Sequence, residues 1–235
     1  MTFSKQLLTF DPRTVPVLGV DHHLARVEPE RLTPDALRSR FLSPPVWSPE
    51  RNTEKIFVNR QPAMAAVLIP LVMRRELMLL LTQRTENLST HPGQIAFPGG
   101  RTDDTDLHAA DTAMREAEEE IALPRSHVEV LGNLPTYVTG TAFIITPVVA
   151  LVRPGFTLRP NPGEVADVFE VPLQYLMNPA HHRQHELEFD GVLRQWLSMP
   201  YSHNLDDALA AGTPERFIWG ATAGMLRNLY WFLSA

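Results

Sequence analysis

Two long apolar runs flank a short polar turn, and they constrain the fold of this chain more than any other feature. Residues 63–73 read AMAAVLIPLVM, residues 77–84 read LMLLLTQR, and Arg74 to Glu76 lie between them. Such runs about a tight polar turn predict a β-hairpin. Because neither run alternates cleanly, the sheet that contains them must be covered on both faces. The pattern therefore predicts an α/β/α sandwich with a mixed sheet.

Other elements are predicted around the hairpin. Pro34 follows Thr33, a helix-capping residue, and predicts a helix over TPDALRSRFL. We interpret residues 1–60 as an N-terminal extension and residues 61–235 as the main domain. A polar loop from Thr85 ends at Thr105 or Asp106, either of which is placed to cap a helix that runs to about Ala122. Three further strands and a closing helix are predicted over residues 128–138, 142–152, 165–173 and 217–233.

Composition excludes several classes of partner. The 235 residues include 21 Lys and Arg against 27 Asp and Glu, a net charge of −6, so no basic field exists to hold nucleic acid or an anionic membrane. The chain has no cysteine, which excludes disulfides and thiol chemistry. Neither a secretion signal nor a long apolar span is evident. We therefore expect a cytoplasmic protein with a small-molecule partner.

The helix after Asp106 contains the segment REAEEEIAL, residues 115–123. Glu116, Glu119 and Glu120 fall within about 100° of one another around the helix. Three converging carboxylates repel unless cations neutralise them, and hard oxygen ligands suit Mg²⁺ or Mn²⁺. Glu118 points elsewhere. The stripe expected to face the core consists of Ala110, Ala113, Met114, Ala117 and Ile121.

A solvated acidic face is the alternative, with Arg115 paired to Asp111 and Glu119, and the helix alone leaves both interpretations open. The segment FPGGR just before the helix favours a site. Two glycines allow the backbone to approach a ligand closely, and a glycine carbonyl can turn toward a metal.

The spacing of these residues resembles the Nudix box, in which a glycine and an acidic residue precede R-E-U-x-E-E-x-G-U, where U is a bulky aliphatic residue. Asp106 stands where the box has glutamate, and eight residues rather than seven separate it from Arg115. Ala122 replaces the second glycine. The matching residues are Gly100, Asp106, Arg115, Glu116, Ala117, Glu119, Glu120, Ala122 and Leu123.

A second segment, LLTQRTENLSTHPGQIAFPGG, resembles the coenzyme A pyrophosphatase signature. Ser89 stands where this signature has its second arginine, so a bidentate phosphate donor is missing there. The resemblance implies a Nudix-like α/β/α sandwich with a catalytic loop-helix-loop, and hydrolysis of the diphosphate of coenzyme A and its acyl derivatives. The matching residues are Leu80, Leu81, Thr82, Arg84, Gly93, Phe97, Pro98, Gly99 and Gly100.

The resemblance also implies roles for individual residues. Glu116 and Glu120 are the expected metal ligands, Glu119 is a further ligand or general base, and Gly100 lends its carbonyl. Arg115 orients the glutamates. Outside the box, three more expectations concern the substrate and the base: Glu164 is a candidate base or extra ligand, Arg84 and Arg101 contact phosphates, and His91 contacts the substrate. The respective alternatives are an exposed turn carboxylate for Glu164, ordinary surface salt bridges for the two arginines, and a capped loop histidine for His91.

Other functions stay open at this stage. A Nudix hydrolase for ADP-ribose, dinucleotides or nucleoside triphosphates is the second hypothesis, and a catalytically silent nucleotide-binding module is the third. His181 and His185 have the i, i+4 spacing of a metal pair, but no third ligand is evident and a polar surface turn is the favoured interpretation. The oligomeric state is open, with a homodimer as one option.

Overall fold

The structure is a computed structural model. It describes residues 11–50, 61–88, 91–189, 192–202 and 215–235. No helix within these ranges is long and apolar enough to cross a membrane.

The predicted hairpin forms the centre of the fold. Strands β2 (Ala63–Met73) and β3 (Leu77–Arg84) pair antiparallel, with Leu71 opposite Leu79. Residues 68–72 and 79–82 are buried, as expected for strands covered on both faces. The hairpin prediction is therefore confirmed.

The larger sheet adds strands on both sides of the hairpin. Its path runs β4-β3-β2-β8-β6, with β5 and β7 as short additions to β2 and β8, and β9 paired to β3. Strands β2 and β8 are parallel, whereas the other pairs are antiparallel, so the sheet is mixed. These strands are β4 (Ile95–Ala96), β5 (Gly99–Arg101), β6 (Val128–Asn133), β7 (Tyr137–Val138), β8 (Phe143–Val152) and β9 (Val165–Pro172).

The predicted loop over residues 85–106 contains two of these short strands. Gly100 lies opposite Ala66 in the pairing of β5 with β2, and the Leu68 N–H donates to the Pro98 carbonyl at 2.9 Å. Strands of two and three residues carry no periodicity, which is why the sequence indicated only a loop.

A second, smaller sheet has the order β1-β10-β11-β12 within the described residues. Its strands are β1 (Val17–Val20), β10 (Arg183–Phe189), β11 (Val192–Tyr201) and β12 (Arg216–Trp219). The sequence did not predict these strands. The start of the segment predicted as a closing helix is β12, because Gly220, with a φ of 62°, separates it from the helix proper.

Helices cover the larger sheet on both faces, as predicted. Helix α1 (Pro34–Leu42) is capped by Thr33, as expected, and is followed along the chain by α2 (Ala109–Ile121), α3 (Leu173–Leu176) and α4 (Gly220–Ser234). Two apolar clusters separate the layers. One contains residues of α2 with Ala66 and Leu68, and the other contains residues of α4 with Ile69 and Leu71. The α/β sandwich with a mixed sheet is confirmed.

The predicted cap of α2 is wrong by a few residues. The N-cap is His108, whose N–H donates to the Asp111 carboxylate at 2.9 Å. Asp106 does not cap the helix because its carboxylate binds Arg115. The core stripe of the helix is present, with Ala113, Ala117 and Ile121 buried and Ala110 and Met114 half-buried.

The described part of the N-terminal segment packs on the rest of the chain. Val27 and Leu37 are buried in the cluster that contains α4, and β1 pairs with β10. Arg31 and Arg40 donate hydrogen bonds to carbonyls in the last turn of α4. The predicted boundary at residue 60 falls outside the described residues and stays a prediction.

The histidine-rich segment is not a polar surface turn, so that interpretation is wrong. His181 ends a short 3-10 turn, Arg183 begins β10, and both His182 and His185 are buried. The His182 ring lies between the Leu176 carbonyl and the Arg227 guanidinium, and the His185 ring bonds Val15 and Ser198. These contacts are structural, and they occupy both ring nitrogens of His185, one member of the i, i+4 pair.

Candidate active site

Strand β5 brings two glycines against the acidic helix. A β-carbon on Gly99 would lie 2.5 Å from the Ala66 carbonyl oxygen, so only glycine fits against β2 there. A β-carbon on Gly100 would lie 2.5 Å from the carboxylate of Glu116. The glycine pair therefore lets the backbone come close to the helix, as the sequence indicated.

Glu116 is positioned over this strand by its neighbour. Its side chain is 17% exposed, and it accepts a hydrogen bond from the Arg115 Nη1 at 2.9 Å. Burial raises the pKa of Glu116, while Arg115 partly opposes this rise. The carboxylate is thus held in a partly buried position, where a second cation beside Arg115 would stabilise its ionised form.

Glu120 lies one turn further along α2 and is 4% exposed. It accepts the Gly99 N–H at 3.3 Å. Burial raises the pKa of Glu120 to about 8, with Arg84 lowering it and the charges of Glu116 and Glu164 raising it further. A carboxylate in this position needs a nearby cation to be ionised at neutral pH.

Arg115 organises the carboxylates from the other side. Its Nε and Nη2 form a fork on Asp106 at 3.2 and 2.9 Å, and its Nη2 also donates to the Arg101 carbonyl at 3.0 Å. Its Nη1 bonds Glu116 and, at 3.2 Å, Glu119. The guanidinium holds the pKa of Asp106 well below its usual range. Asp106, shorter than the glutamate of the box, thus still reaches Arg115.

The remaining glutamates of the helix differ in environment. The Glu119 side chain is 59% exposed and pairs with Arg115 at 3.2 Å. The Glu118 side chain is 55% exposed and pairs with Arg125 at 3.1 Å, away from the other carboxylates, as predicted.

Arg84 and Glu164, which lie outside the helix, are close enough to Glu120 for their charges to shift its pKa. The Asn161 N–H donates to the Glu120 carbonyl at 2.8 Å, and this loop then leads to Glu164, whose carbonyl accepts the Thr85 N–H at 3.0 Å. Arg84, at the end of β3, lies opposite Val165 in the pairing with β9. Its Nε is buried without a hydrogen-bond partner. The site thus contains a guanidinium, that of Arg84, whose Nε–H can donate a hydrogen bond to a ligand near the acidic side chains.

The donor set fits a divalent cation. Among the described residues, no three His, Asp or Glu side chains already surround one point as ligands would, because Arg115 holds Glu116 and Glu119. The oxygens available near Gly100 are nevertheless hard ligands in the number that Mg²⁺ and Mn²⁺ use. The burial of the Glu120 carboxylate, which raises its pKa, favours a positive charge beside it.

A cleft of about 900 Å³ opens beside β5, the glycine strand that contains Gly99 and Gly100. Gly99, Gly100 and three of the predicted substrate contacts, Arg84, Arg101 and His91, line it. Arg101 is exposed and lies over the Phe143 ring at 5.4 Å. Ser89, the departure from the signature, lies outside the described residues.

The sequence missed one part of this cleft. Residues of the small sheet, among them Trp196 and Trp219, line it opposite the glycine strand. The two tryptophans lie on neighbouring strands that approach only after the chain has folded. The short strand pattern of residues 192–201 was the one signal that could have indicated them.

Comparison with known proteins identifies one family. The model of the NUDIX domain matches residues 62–190. The protein "Uncharacterized Nudix hydrolase NudL" of Escherichia coli (strain K12) is 41% identical over 204 residues, which cover 86% of this chain and 96% of that protein. The protein of the same description from Shigella flexneri is 42% identical over 176 residues, 73% of this chain and 85% of that protein. A solved Nudix hydrolase from M. smegmatis, RenU, is 25% identical over 53% of this chain and 79% of that one, with a TM-score of 0.40.

A glycine strand, an arginine-held glutamate helix and a cleft beside them define a hydrolase of phosphate compounds. The chain belongs to the Nudix family. It is a pyrophosphohydrolase, and enzymes of this family generally use divalent metal ions and act on small nucleoside diphosphate derivatives.

Proposed function

We propose that this enzyme hydrolyses the diphosphate bond of coenzyme A and its acyl derivatives, giving 3′,5′-ADP and 4′-phosphopantetheine or its acyl form. One observation carries the proposal. The segment that resembles the coenzyme A pyrophosphatase signature, residues 80–100, runs from Arg84 beside Glu120 to Gly100 beneath Glu116. A loop with that course can both bind the substrate and position it at the glutamates.

The proposed metal ligands are Glu116 and Glu120, with the Gly100 carbonyl and Glu119 completing the set. When bound, Mg²⁺ or Mn²⁺ supplies positive charge at the diphosphate oxygens and lowers the pKa of a water molecule. Glu116 and Glu120 lie one helical turn apart, and the charge of Glu116 helps to raise the pKa of Glu120. Glu119 is exposed, so it can reach the same ion by leaving Arg115.

Proton transfer is assigned to Glu119 or Glu164. In the reaction the oxygen of a water molecule bonds to one phosphorus, the bridging P–O bond breaks, and the carboxylate takes the proton of the water. Both glutamates lie on the site, one on the helix and one on the loop tied to the Glu120 carbonyl through Asn161. Arg115 keeps the helix carboxylates in place and does not itself react.

Substrate binding is assigned to the cationic and apolar parts of the cleft. Arg84 has an unused buried N–H, which a phosphate oxygen can accept. Arg101 and His91 line the same cavity. Aromatic and aliphatic side chains cover other parts of the wall, which suits the pantetheine arm better than a second charged group.

Two other functions are compatible with the family. The glutamates serve equally in a Nudix hydrolase for ADP-ribose, dinucleotides or nucleoside triphosphates, and the missing arginine at Ser89 favours this second candidate. A silent nucleotide-binding module is disfavoured, because it has no reason to retain the Arg115 network around three glutamates.

A substrate panel tests the proposal. Coenzyme A, acetyl-coenzyme A, dephospho-coenzyme A, ADP-ribose, a dinucleotide and a nucleoside triphosphate are incubated with Mg²⁺ or Mn²⁺, and the products are separated and identified. We expect coenzyme A and its short acyl derivatives to have the highest kcat/KM, with 3′,5′-ADP as a product. A clear preference for ADP-ribose would replace the proposal by the second candidate. The Glu120→Gln variant is the control for contaminating hydrolases.

A further inference from the structure

The small sheet contributes an aromatic wall to the cleft that the proposed chemistry does not use. Phe217 and Trp219 on β12 and Trp196 on β11 line the cavity that also contains Gly99 and Gly100. Phe217 is 7% exposed, whereas Trp196 and Trp219 are half-buried. The wall therefore exposes the two tryptophan rings to a molecule in the cleft, while Phe217 is buried beside them.

This wall is attached to the signature segment at both ends of β12. At one end, Arg216 donates to the Gln83 side chain at 2.7 Å, and Gln83 is the neighbour of Arg84. At the other end, Thr222 in the first turn of α4 donates to the Ile95 carbonyl at 3.0 Å. Ile95 belongs to the strand that leads into Gly99 and Gly100. The wall is therefore joined by hydrogen bonds to the segment that carries the two glycines, and both line the same cavity.

The shape of the wall favours a flexible chain over a planar ring. The Trp196 and Trp219 rings have centroids 6.4 Å apart and planes inclined at 70°, so they form a corner. One face of Trp196 is already covered by His185, whose ring is parallel to within 8° at 5.6 Å. A nucleobase stacked on one of these rings would meet the other ring edge-on, so the corner cannot stack on both faces of a base. An aliphatic chain can follow both rings.

We propose that the corner formed by Trp196, Phe217 and Trp219 is the subsite for the acyl-pantetheine arm of the substrate. This proposal rests on the function proposed above and adds the place where acylated substrates are distinguished. The acyl chain lies against the two tryptophans, while the diphosphate lies at Gly100 and the glutamates. Each methylene fully buried in such a corner raises affinity up to about fourfold.

The affinity of the subsite for the pantetheine arm can be measured by direct binding of probes that the enzyme does not hydrolyse. The probes are pantetheine and S-octanoyl-pantetheine, which have no diphosphate, titrated calorimetrically into the full chain in chelator. The quantity compared is the ratio of their dissociation constants. We expect S-octanoyl-pantetheine to bind the parent at least about tenfold more tightly than pantetheine, as partial burial of a chain of this length predicts.

Three variants locate this difference. Trp219→Ala removes one side of the corner, and its indole makes no capping hydrogen bond to α4. Ala221→Leu adds bulk to the wall of the cleft two residues from Trp219, in the first turn of the helix. Trp47→Phe is the matched control, because Trp47 packs on Phe232 and does not line the cavity. We expect the ratio to fall below about threefold in the first two variants and to stay at the parent value in the control.

The outcomes separate this proposal from the function on which it rests. If the enzyme cleaves coenzyme A but the ratio is equal in the parent, Trp219→Ala and Ala221→Leu, the subsite is elsewhere and the function stands. If the substrate panel shows no cleavage of coenzyme A and neither probe binds, both proposals fail. If the ratio of the two dissociation constants also fell below about threefold in Trp47→Phe, the effect would be a general loss of packing. That result would also overturn the assignment.

Discussion

Gly100 lies so close to Glu116 that a β-carbon on the glycine would be 2.5 Å from the carboxylate. This contact joins the strand of the signature segment to the helix of the Nudix box. The position of a proposed metal ligand therefore depends on the absence of one methyl group on the strand that precedes the helix.

Gly100→Ala should displace Glu116 and lower kcat/KM by about ten- to a thousandfold, since misplacement of a ligand by about 1 Å is costly. Substrate KM should change less than kcat. The control is Gly19→Ala, because a β-carbon there meets only Gln184 at 3.9 Å. Steady-state kinetics with Mn²⁺ and a thermal melt of each variant measure this. Full activity of Gly100→Ala would contradict the proposed place of the ion.

Glu120→Gln should lower turnover by orders of magnitude while the fold survives. Burial raises the pKa of Glu120 to about 8 from an ordinary 4.5, so the folded protein favours the protonated carboxyl. The contribution of this group to the stability of the fold is therefore fully present below pH 4.5 and is lost as the pH rises through 8. In chelator the variant should therefore be no less stable than the parent. The free energy of unfolding of the variant should exceed that of the parent by an amount that grows from pH 5 to pH 8 and reaches about 1–3 kcal/mol. Urea unfolding at several pH values decides this, and a large loss of stability would mean that Glu120 is structural.

Activity should require a divalent cation and should increase toward alkaline pH. The glutamate ligands must be deprotonated, and a hydroxide or activated water must attack. Rates are measured from pH 5 to pH 9 with saturating Mg²⁺ and after exhaustive chelation and readdition of metal. Full turnover in chelator, or an optimum near pH 5, would remove the metal mechanism.

Arg84→Met should narrow the difference between coenzyme A and its dephospho form. The parent should cleave dephospho-coenzyme A about ten- to a hundredfold less efficiently, as the loss of one charged contact implies. Arg125→Met, which removes an arginine paired with Glu118 at the surface, is the control. Values of kcat/KM for both substrates measure the ratio. Equal losses for the two substrates in Arg84→Met would assign this residue to the diphosphate instead.

The buried His182 should make the fold sensitive to acid. Burial lowers the pKa of His182 to about 4 from an ordinary 6.5, so its contribution to stability is present above pH 6.5 and is lost as the pH falls toward 4. A protonated ring would also place a second donor against the Arg227 guanidinium, which now donates to it at 2.9 Å. The expected loss is on the order of 3 kcal/mol.

The urea midpoint at pH 7 and pH 4.5 measures this loss in the parent and in His182→Asn. The variant should be less stable at pH 7, but its stability should decline less with acid. His23→Asn, a change at an exposed histidine, should follow the parent. A parent whose midpoint is unchanged at pH 4.5 would contradict the buried neutral ring.

Local pattern alone was enough for several parts of the molecule. The hairpin of β2 and β3 and the core stripe of α2 follow from apolar periodicity, which depends only on neighbours along the chain. Thr33 and Pro34 likewise determine where α1 begins. Glu116, Glu119 and Glu120 lie within one helical turn of each other, so the candidate site on this helix was visible in the sequence.

Only the tertiary structure decided what surrounds these elements. His185, predicted in a surface turn, is buried because β1 and β11 pack on it, and Asp106 is drawn from the helix cap to Arg115. Arg84 and Glu164 come from segments far apart in the chain and meet at Glu120 through the pairing of β3 with β9. The wall of Trp196 and Trp219 likewise needs the pairing of β11 with β12. Such contacts depend on strand order and register, which involve residues distant in sequence and leave no periodic signal in either segment.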